Sequence, residues 1–407
     1  MGSISRIQFR IRVRGAEHLR DGRGTIILMG HKSDNDGILV ANTLFLVCRG
    51  RGPIARRGVV AGEHIFQPGF LSGYVVKRPR WLSYLLYPLN VGTIMRAMRC
   101  YPIPWGRERY LVAHLIDALD SEGDLPLEEV FQEAPGQYLP GVKPGTTIRG
   151  VLGVSHRLPL FGLYDHAIFT PRLRESLKTK LGERIEASLQ LYAAILDNGE
   201  ALFMAPEGAL TGDGHIGRIK TGLHQIIERT QCELSLLPVH VTYDFMTTGR
   251  VTAFLCFGEA RGGVRPWSRE ELAEEVTRGL ARLTIVNLGQ LAAHNIRNRA
   301  RNGELEVAAD TLKEEVRAKA QRMAGDGFAV DERLLNPRAF ERRWQRFLKY
   351  CQRRHYLKED AGTLRLNPER ILDESLAKDG RARPFTRSAN ELECLLATRE
   401  ETPMARP

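Results

Sequence analysis

The chain alternates short apolar runs with segments of helical period. "IQFRIRVRG" (7–15) switches between apolar and polar residues and predicts a strand. "GTIILMG" (24–30) is an apolar run closed by glycines, the pattern of a short buried strand. "GILVANTLFLVC" (37–48) predicts a helix, and two prolines keep "CYPIPWGR" (100–107) extended. From about residue 183 the pattern resumes. "ERIEASLQLYAAILDNG" is a helix with a glycine stop, "EALFMAP" a strand and "IKTGLHQIIERT" a helix. "ELSLLPVHVTY" and "VTAFLCFGEA" are strands. Apolar strands alternating with helices imply an α/β fold with a mainly parallel sheet flanked by helices.

The same pattern divides the chain. Residues 1–262 are expected to form the α/β domain, interrupted by an irregular insertion at about 111–185. There "DSEGDLPLEEVFQEAPGQYLPGVKPGTTIRG" is rich in Gly, Pro and acid and carries little periodicity. Residues 263–385 read as a helical C-terminal region. Ser268 and Glu271 make a capping box, and Leu272, Val276, Leu280 and Leu283 share a face. Asn336 and Pro337 open a basic amphipathic helix with Phe340, Trp344, Phe347, Leu348 and Cys351 on one side. Such a helix suits a membrane or nucleic acid, but docking on its own domain is the favoured reading. Residues 386–407 are expected to be a flexible tail.

Charge changes the picture more than composition does. At 407 residues with 43% hydrophobic positions, the chain is an ordinary globular protein. Its formal charge of +11 implies attraction to something acidic: nucleic acid, an anionic membrane or a phosphorylated substrate. Cys48, Cys100, Cys232, Cys256, Cys351 and Cys394 are scattered, with no C-x-x-C, which favours reduced thiols in the cytosol over a disulfide framework or a metal site. The first residues do not read as a signal peptide, and Arg6 breaks the myristoylation pattern. No run of about 18–20 apolar residues offers a spanning helix. The nearest is "WLSYLLYPLNVGTIMRAM" (81–98), preceded by Lys77, Arg78 and Arg80. It suits a membrane-surface element and a core helix equally well.

The conspicuous chemistry lies in "MGHKSDNDGILV" (29–40). As a calcium loop with Gly37 at position 6, it puts Lys32 at position 1 and Thr43 at position 12, so it fails at both ends. Ser33 is too close in sequence to His31 for a converging nucleophilic triad and is better placed to cap the next helix. The surviving pair is His31 and Asp36, at a strand–helix junction where a carboxylate can orient an imidazole as a general base. Gly212, Gly214 and Gly217 spell G-x-G-x-x-G, but "PEGALT" separates them from the strand end. That argues against a dinucleotide site.

These motifs together resemble the glycerol-3-phosphate and 1-acylglycerol-3-phosphate acyltransferase superfamily. "GHKSDND" matches its N-H-x-S-x-x-D block at His31, Ser33 and Asp36, with Gly30 in place of Asn. "VRGAEHL" is similar to the family's approach strand, and "YPIPWGR" to its second block, ending at Arg107. "MAPEGALTG" keeps Pro206, Glu207 and Gly208 of the third block but has Ala209 and Leu210 where Thr and Arg are usual. "LLPVHV" supplies the proline of the fourth, Pro238. The blocks cover roughly residues 9–260.

The resemblance implies transfer of an acyl group from acyl-CoA or acyl carrier protein to the hydroxyl of glycerol-3-phosphate, 1-acylglycerol-3-phosphate or another lysolipid. His31 and Asp36 would be the base pair, with the turn amides around His31 as candidate oxyanion donors. Arg107 would hold the acceptor phosphate, and Pro206, Glu207 and Gly208 would shape the acceptor site. Lys220 is a second cation or a helix-surface lysine. No cofactor and no metal is implied, and no nucleic-acid partner is expected. An anionic membrane surface is the expected partner, giving a cytoplasmic protein bound peripherally. The alternative is an inactive relative that binds lipid or nucleic acid.

Overall fold

A computed structural model describes the chain apart from residues 1–8, 20–22, 34–35, 49–56, 68–69, 72–81, 83–85, 87–88, 90, 105–108, 154–159, 209, 376–382 and 401–407. In chain order the elements that matter begin with strands β1 (Phe9–Arg14) and β2 (Thr25–Met29) and helix α1 (Asp36–Cys48). Then come β3 (Gly58–Gly62), α2 (Val91–Ala97), β4 (Cys100–Ile103), α3 (Leu111–Glu122) and α4 (Pro171–Asp197). After these follow β5 (Leu202–Met204), α5 (Gly222–Arg229), β6 (Ser235–Asp244) and β7 (Val251–Phe257). The C-terminal part adds α6 (Arg269–Arg282), α7 (Leu288–Arg301), α8 (Ala309–Gly325), α9 (Pro337–Arg353) and α10 (Pro384–Glu400). No described helix is long and apolar enough to cross a membrane.

Two compact units emerge. The first holds residues 1–56, 199–228 and 232–407; the second holds 57–198 and 229–231. The first is built on strands in the order β1-β7-β6-β2-β5. β1 runs parallel to β7, and β2 runs parallel to both β6 and β5, in registers such as Leu28↔Met204 and Leu28↔Pro238. Only β6 and β7 are antiparallel. Every residue of β2 is buried, as its uninterrupted apolar run requires of a central parallel strand. Pro238 lies just beyond the last β6–β7 pair, Val239↔Phe257, so its missing N–H leaves that ladder intact.

The C-terminal helices belong to this first unit. Leu291, Ile296, Leu312, Val316, Phe340, Trp344, Phe347, Phe385 and Leu392 form one buried cluster. The expected boundary at residue 262 therefore does not separate compact bodies. The apolar face of α9 is docked on its own unit, as the favoured reading had it, and the Ser268–Glu271 capping box opens α6. The expected flexible tail is corrected over 386–400. Those residues are helical, because α10 buries Phe385, Ala389, Leu392 and Leu395.

The second unit corrects the expected irregular insertion. Helix α3 buries Leu111, Val112 and Leu115, and one-turn helices at Leu127–Val130 and Ile148–Gly153 pack with Phe169, Leu173 and Leu177. β3 and β4 run parallel here, with Val59 opposite Cys100. The buried Arg109 guanidinium donates to Glu63 at 3.0 and 2.7 Å and to Asp117 at 2.6 Å. Burial opposes its charge, but the two carboxylates outweigh burial and hold it protonated.

Candidate active site

The β2–α1 junction carries the first half of the site. Asp36, in the first turn of α1, folds its carboxylate back over the preceding loop. Its Oδ2 accepts from the Lys32 amide at 2.7 Å and the Ser33 amide at 2.6 Å. Its Oδ1 accepts from the Tyr243 hydroxyl on β6. The carboxylate is fully buried, whereas the His31 side chain keeps 28% of its surface exposed. His31 Nδ1 lies 3.8 Å from Asp36 Oδ2 and has no hydrogen-bond partner. That separation is too long for a hydrogen bond.

Tyr243 stays a donor. Burial, and then the Asp36 carboxylate, push its phenol far above the ordinary range, so the hydroxyl keeps its proton. The Ser33 side chain also bonds to Tyr243. Ser33 thus helps fix the carboxylate's surroundings and is drawn away from any role as nucleophile.

The second half comes from the loop after β5. Glu207 is buried, and its Oε1 accepts the His31 backbone N–H at 2.8 Å. Its Oε2 accepts from the Thr211 hydroxyl at 2.8 Å and the Gly217 amide at 2.7 Å. The Thr211 amide donates to the His31 carbonyl at 2.9 Å. One carboxylate therefore ties the histidine to a loop some 176 residues away in sequence.

These bonds correct one expectation. The amides of His31, Lys32 and Ser33 are all taken up by the Glu207 and Asp36 carboxylates, and the Gly30 amide donates to the Val239 carbonyl. The turn amides cannot serve as oxyanion donors without breaking the turn. Gly30 itself has a steric cause: a Cβ there would sit 2.9 Å from His240 Nδ1. His240 is wholly buried, and burial, then Lys32 and Arg387, hold its imidazole far below its usual pKa and therefore neutral.

The remaining expected residues divide. Pro206 is buried, and its carbonyl accepts the Lys220 amide at 2.9 Å. Gly208 has φ +65°, which favours glycine, and the Lys220 side chain runs over it, 3.2 Å from where a Cβ would be. Lys220 is exposed beside the Glu207 loop. Arg107 lies outside the described residues. Two glycines of the rejected dinucleotide pattern, Gly214 and Gly217, serve close approach instead. A Cβ at Gly214 would meet the Arg387 carbonyl at 2.3 Å, and one at Gly217 would meet Thr211 at 2.5 Å.

Sequence reasoning missed a third set, contributed by α10 and its neighbours. Arg387 donates to the Lys32 carbonyl at 2.9 Å, and its guanidinium lies 4.6 Å from the centre of the Phe245 ring. Lys32 is buried with its ammonium 3.4 Å from Glu391, which Gln290 also contacts at 2.9 Å. Asn390 donates to the Asp213 carbonyl at 2.9 Å. No spacing rule connects these positions; only the docking of α10 brings them to the loops that hold His31.

No family model and no curated protein matches the chain. Among solved structures, the chain is similar to the 1-acyl-sn-glycerophosphate (LPA) acyltransferase PlsC from Thermotoga maritima. The match has 13% identity and a TM-score of 0.30, over 66% of this chain and 68% of that one. A likeness of this size says nothing about the reaction.

Proposed function

We propose that the protein is an O-acyltransferase that moves an acyl group from acyl-CoA or acyl carrier protein to a hydroxyl of a lipid precursor. The observation that carries this is the Glu207 carboxylate on the His31 amide. It joins the histidine block and the Pro-Glu-Gly block into one turn, with the Asp36 carboxylate against the ring. In the reaction, His31 takes the proton of the attacking hydroxyl while that oxygen forms a bond to the thioester carbonyl carbon. The tetrahedral intermediate then collapses, the carbon–sulfur bond breaks, and the leaving thiolate takes that proton back from the His31 imidazolium. Asp36 stabilises the imidazolium that forms between these steps. Catalytic hydrogen bonds are often long before substrate binds, so a 3.8 Å gap between Nδ1 and Oδ2 is compatible with this role.

Glycerol-3-phosphate and 1-acylglycerol-3-phosphate are the acceptors the reading favours, with Arg107 as the phosphate ligand and Lys220 as a second cation. Leu210 in place of the usual block-three Arg makes another lysolipid the alternative. Peripheral attachment to an anionic membrane fits the second unit, where Leu89, Ile94 and Met98 are more than half exposed around α2 beside the exposed Arg96. The test is acyl transfer from acyl-CoA to a panel of glycerol-3-phosphate, 1-acylglycerol-3-phosphate and other lysolipids. Turnover with one of them, lost in His31→Ala, is the expected result. No turnover with any acceptor and either donor would remove the reading.

A further inference from the structure

A polar cavity opens in the first unit, where the ends of β6 and β7 meet α9. It encloses about 180 Å³ and is lined by Arg10, Arg250, Arg333, Arg342, Arg343 and Arg346, with Asp244 as the one carboxylate in its wall. None of its lining residues is His31, Asp36 or Glu207.

The arginines fall into two groups. Arg343 bonds to Asp244 and lies 3.3 Å from Asp331, while Arg333 grips Asp331 at 2.7 Å. These inner guanidinium groups are fixed by buried acids. Arg10, Arg250, Arg342 and Arg346 are exposed, and none of the four meets a carboxylate among the described residues. Arg250 donates to the Phe9 carbonyl at 3.2 Å, which aims rather than neutralises it. Ala339 brings the first turn of α9 to the cavity, and the positive end of that helix dipole adds to the field.

Like charges gathered around one cavity repel each other unless an anion sits between them. Guanidinium groups match the oxygens of a phosphate in paired hydrogen bonds. The volume is below the roughly 300 Å³ at which drug-sized ligand pockets begin, so it suits a phosphate group with a few attached atoms and not a whole nucleotide.

We propose that this arginine-lined cavity between the β6–β7 end and α9 is a phosphate-binding site, separate from the His31 site. Its ligand is either a free phosphate or the phosphate of a lipid headgroup.

The full chain is titrated with inorganic phosphate in phosphate-free buffer. It is also floated with phosphatidylcholine vesicles with and without phosphatidic acid. Wild type is expected to bind at least one probe, and R342S/R346S, which changes two exposed side chains, is expected to raise its Kd by about tenfold or more. The pair Lys349→Ser and Arg353→Ser removes equal charge elsewhere on α9 and is expected to leave binding unchanged. Loss of phosphate binding in R342S/R346S identifies a site for the free anion. Loss confined to phosphatidic acid vesicles identifies a lipid headgroup site. The proposal falls if neither probe binds, if R342S/R346S binds as wild type does, or if the Lys349 and Arg353 pair weakens binding equally. His31→Ala is expected to bind each probe as wild type does, so failure of the acyl-transfer reading would not touch this result.

Discussion

Glu207 accepts the backbone N–H of His31 at 2.8 Å, so the Pro-Glu-Gly block acts on the histidine through its main chain. Removing the carboxylate in Glu207→Ala leaves the His31 and Gly217 amides without partners, at about 1–3 kcal/mol for each buried group. It also frees the histidine to move, and a shift of about 1 Å costs on the order of 100-fold in rate. The expected outcome is a chain of lower denaturant midpoint whose kcat falls far more than its affinity for the acyl donor. Glu207→Gln keeps an acceptor for His31 but turns an amide toward Gly217, and is expected to lie between. Wild-type kcat in both variants would refute the clamp.

His31 and Tyr243 should separate by magnitude. His31→Ala removes the proposed base, and loss of about 100- to 10,000-fold in turnover is expected with an unchanged melting temperature. Tyr243→Phe removes only the hydroxyl that bonds to Asp36. A hydrogen bond to a charged group contributes about 1.5–3 kcal/mol, so Tyr243→Phe is expected to lower stability measurably and turnover less than His31→Ala does. Thermal unfolding and steady-state kinetics on the same preparations distinguish the two. A larger kinetic loss from Tyr243→Phe would move the chemistry away from His31.

Gly30 and His240 should be coupled. A Cβ at residue 30 would lie 2.9 Å from His240 Nδ1, and overpacking of this kind costs about 1–3 kcal/mol. Gly30→Ala is expected to lower the urea midpoint, and adding His240→Ala is expected to restore part of the loss by opening the space. Strictly additive losses in the double-mutant cycle would show that the two do not compete for one volume.

The sequence shows more of the strands than of their partners. β2 is an apolar run with nowhere to sit but a sheet interior, so it is legible by itself; the antiparallel turn of β7 against β6 depends on pairing that periodicity does not encode. Between residues 123 and 170 the helices were hidden because their apolar residues come in short pieces such as Leu127–Val130, broken by Gly and Pro. His31, Asp36 and Glu207 were legible as candidates because each block carries its own spacing. Tyr243 and Arg387 were not, because each reaches its partner across 207 and 355 residues and only packing connects them.

Acid should destabilise the fold before carboxylates protonate. Burial, then Arg109, hold the His114 imidazole down at about 3, and His240 is also held far below its usual value. Unfolded, both groups take up protons below about pH 6.5. Between those limits the unfolded state binds more protons, so stability is full above about pH 6.5. It falls with decreasing pH by up to about 1.4 kcal/mol per unit for each histidine. His114→Gln keeps a donor for the Tyr164 carbonyl, which the ring reaches at 3.1 Å, and removes the titration. Urea unfolding at a series of pH values from neutral down to mildly acidic is expected to show a shallower slope in this variant. An unchanged slope would place the acid sensitivity elsewhere.

Helix α10 should be needed for turnover, because it reaches both loops of the site. Arg387 bonds to the Lys32 carbonyl, beside His31, and Asn390 bonds to the Asp213 carbonyl in the loop that carries Glu207. Ending the chain after Arg383 also strips Phe385 from the core, and loss of a buried Phe side chain costs about 3–5 kcal/mol. That variant is expected to unfold, which by itself would not separate support of the site from support of the fold. Arg387→Ala does separate them. It leaves the apolar face of α10 in place and removes the bond to Lys32 and the contact with Phe245. The expected result is a modest fall in melting temperature with a fall of about tenfold or more in kcat, since the turn under His31 loses one of its anchors. Unchanged kcat in Arg387→Ala would make α10 a support for the core alone, leaving Asp36 and Glu207 to hold the histidine.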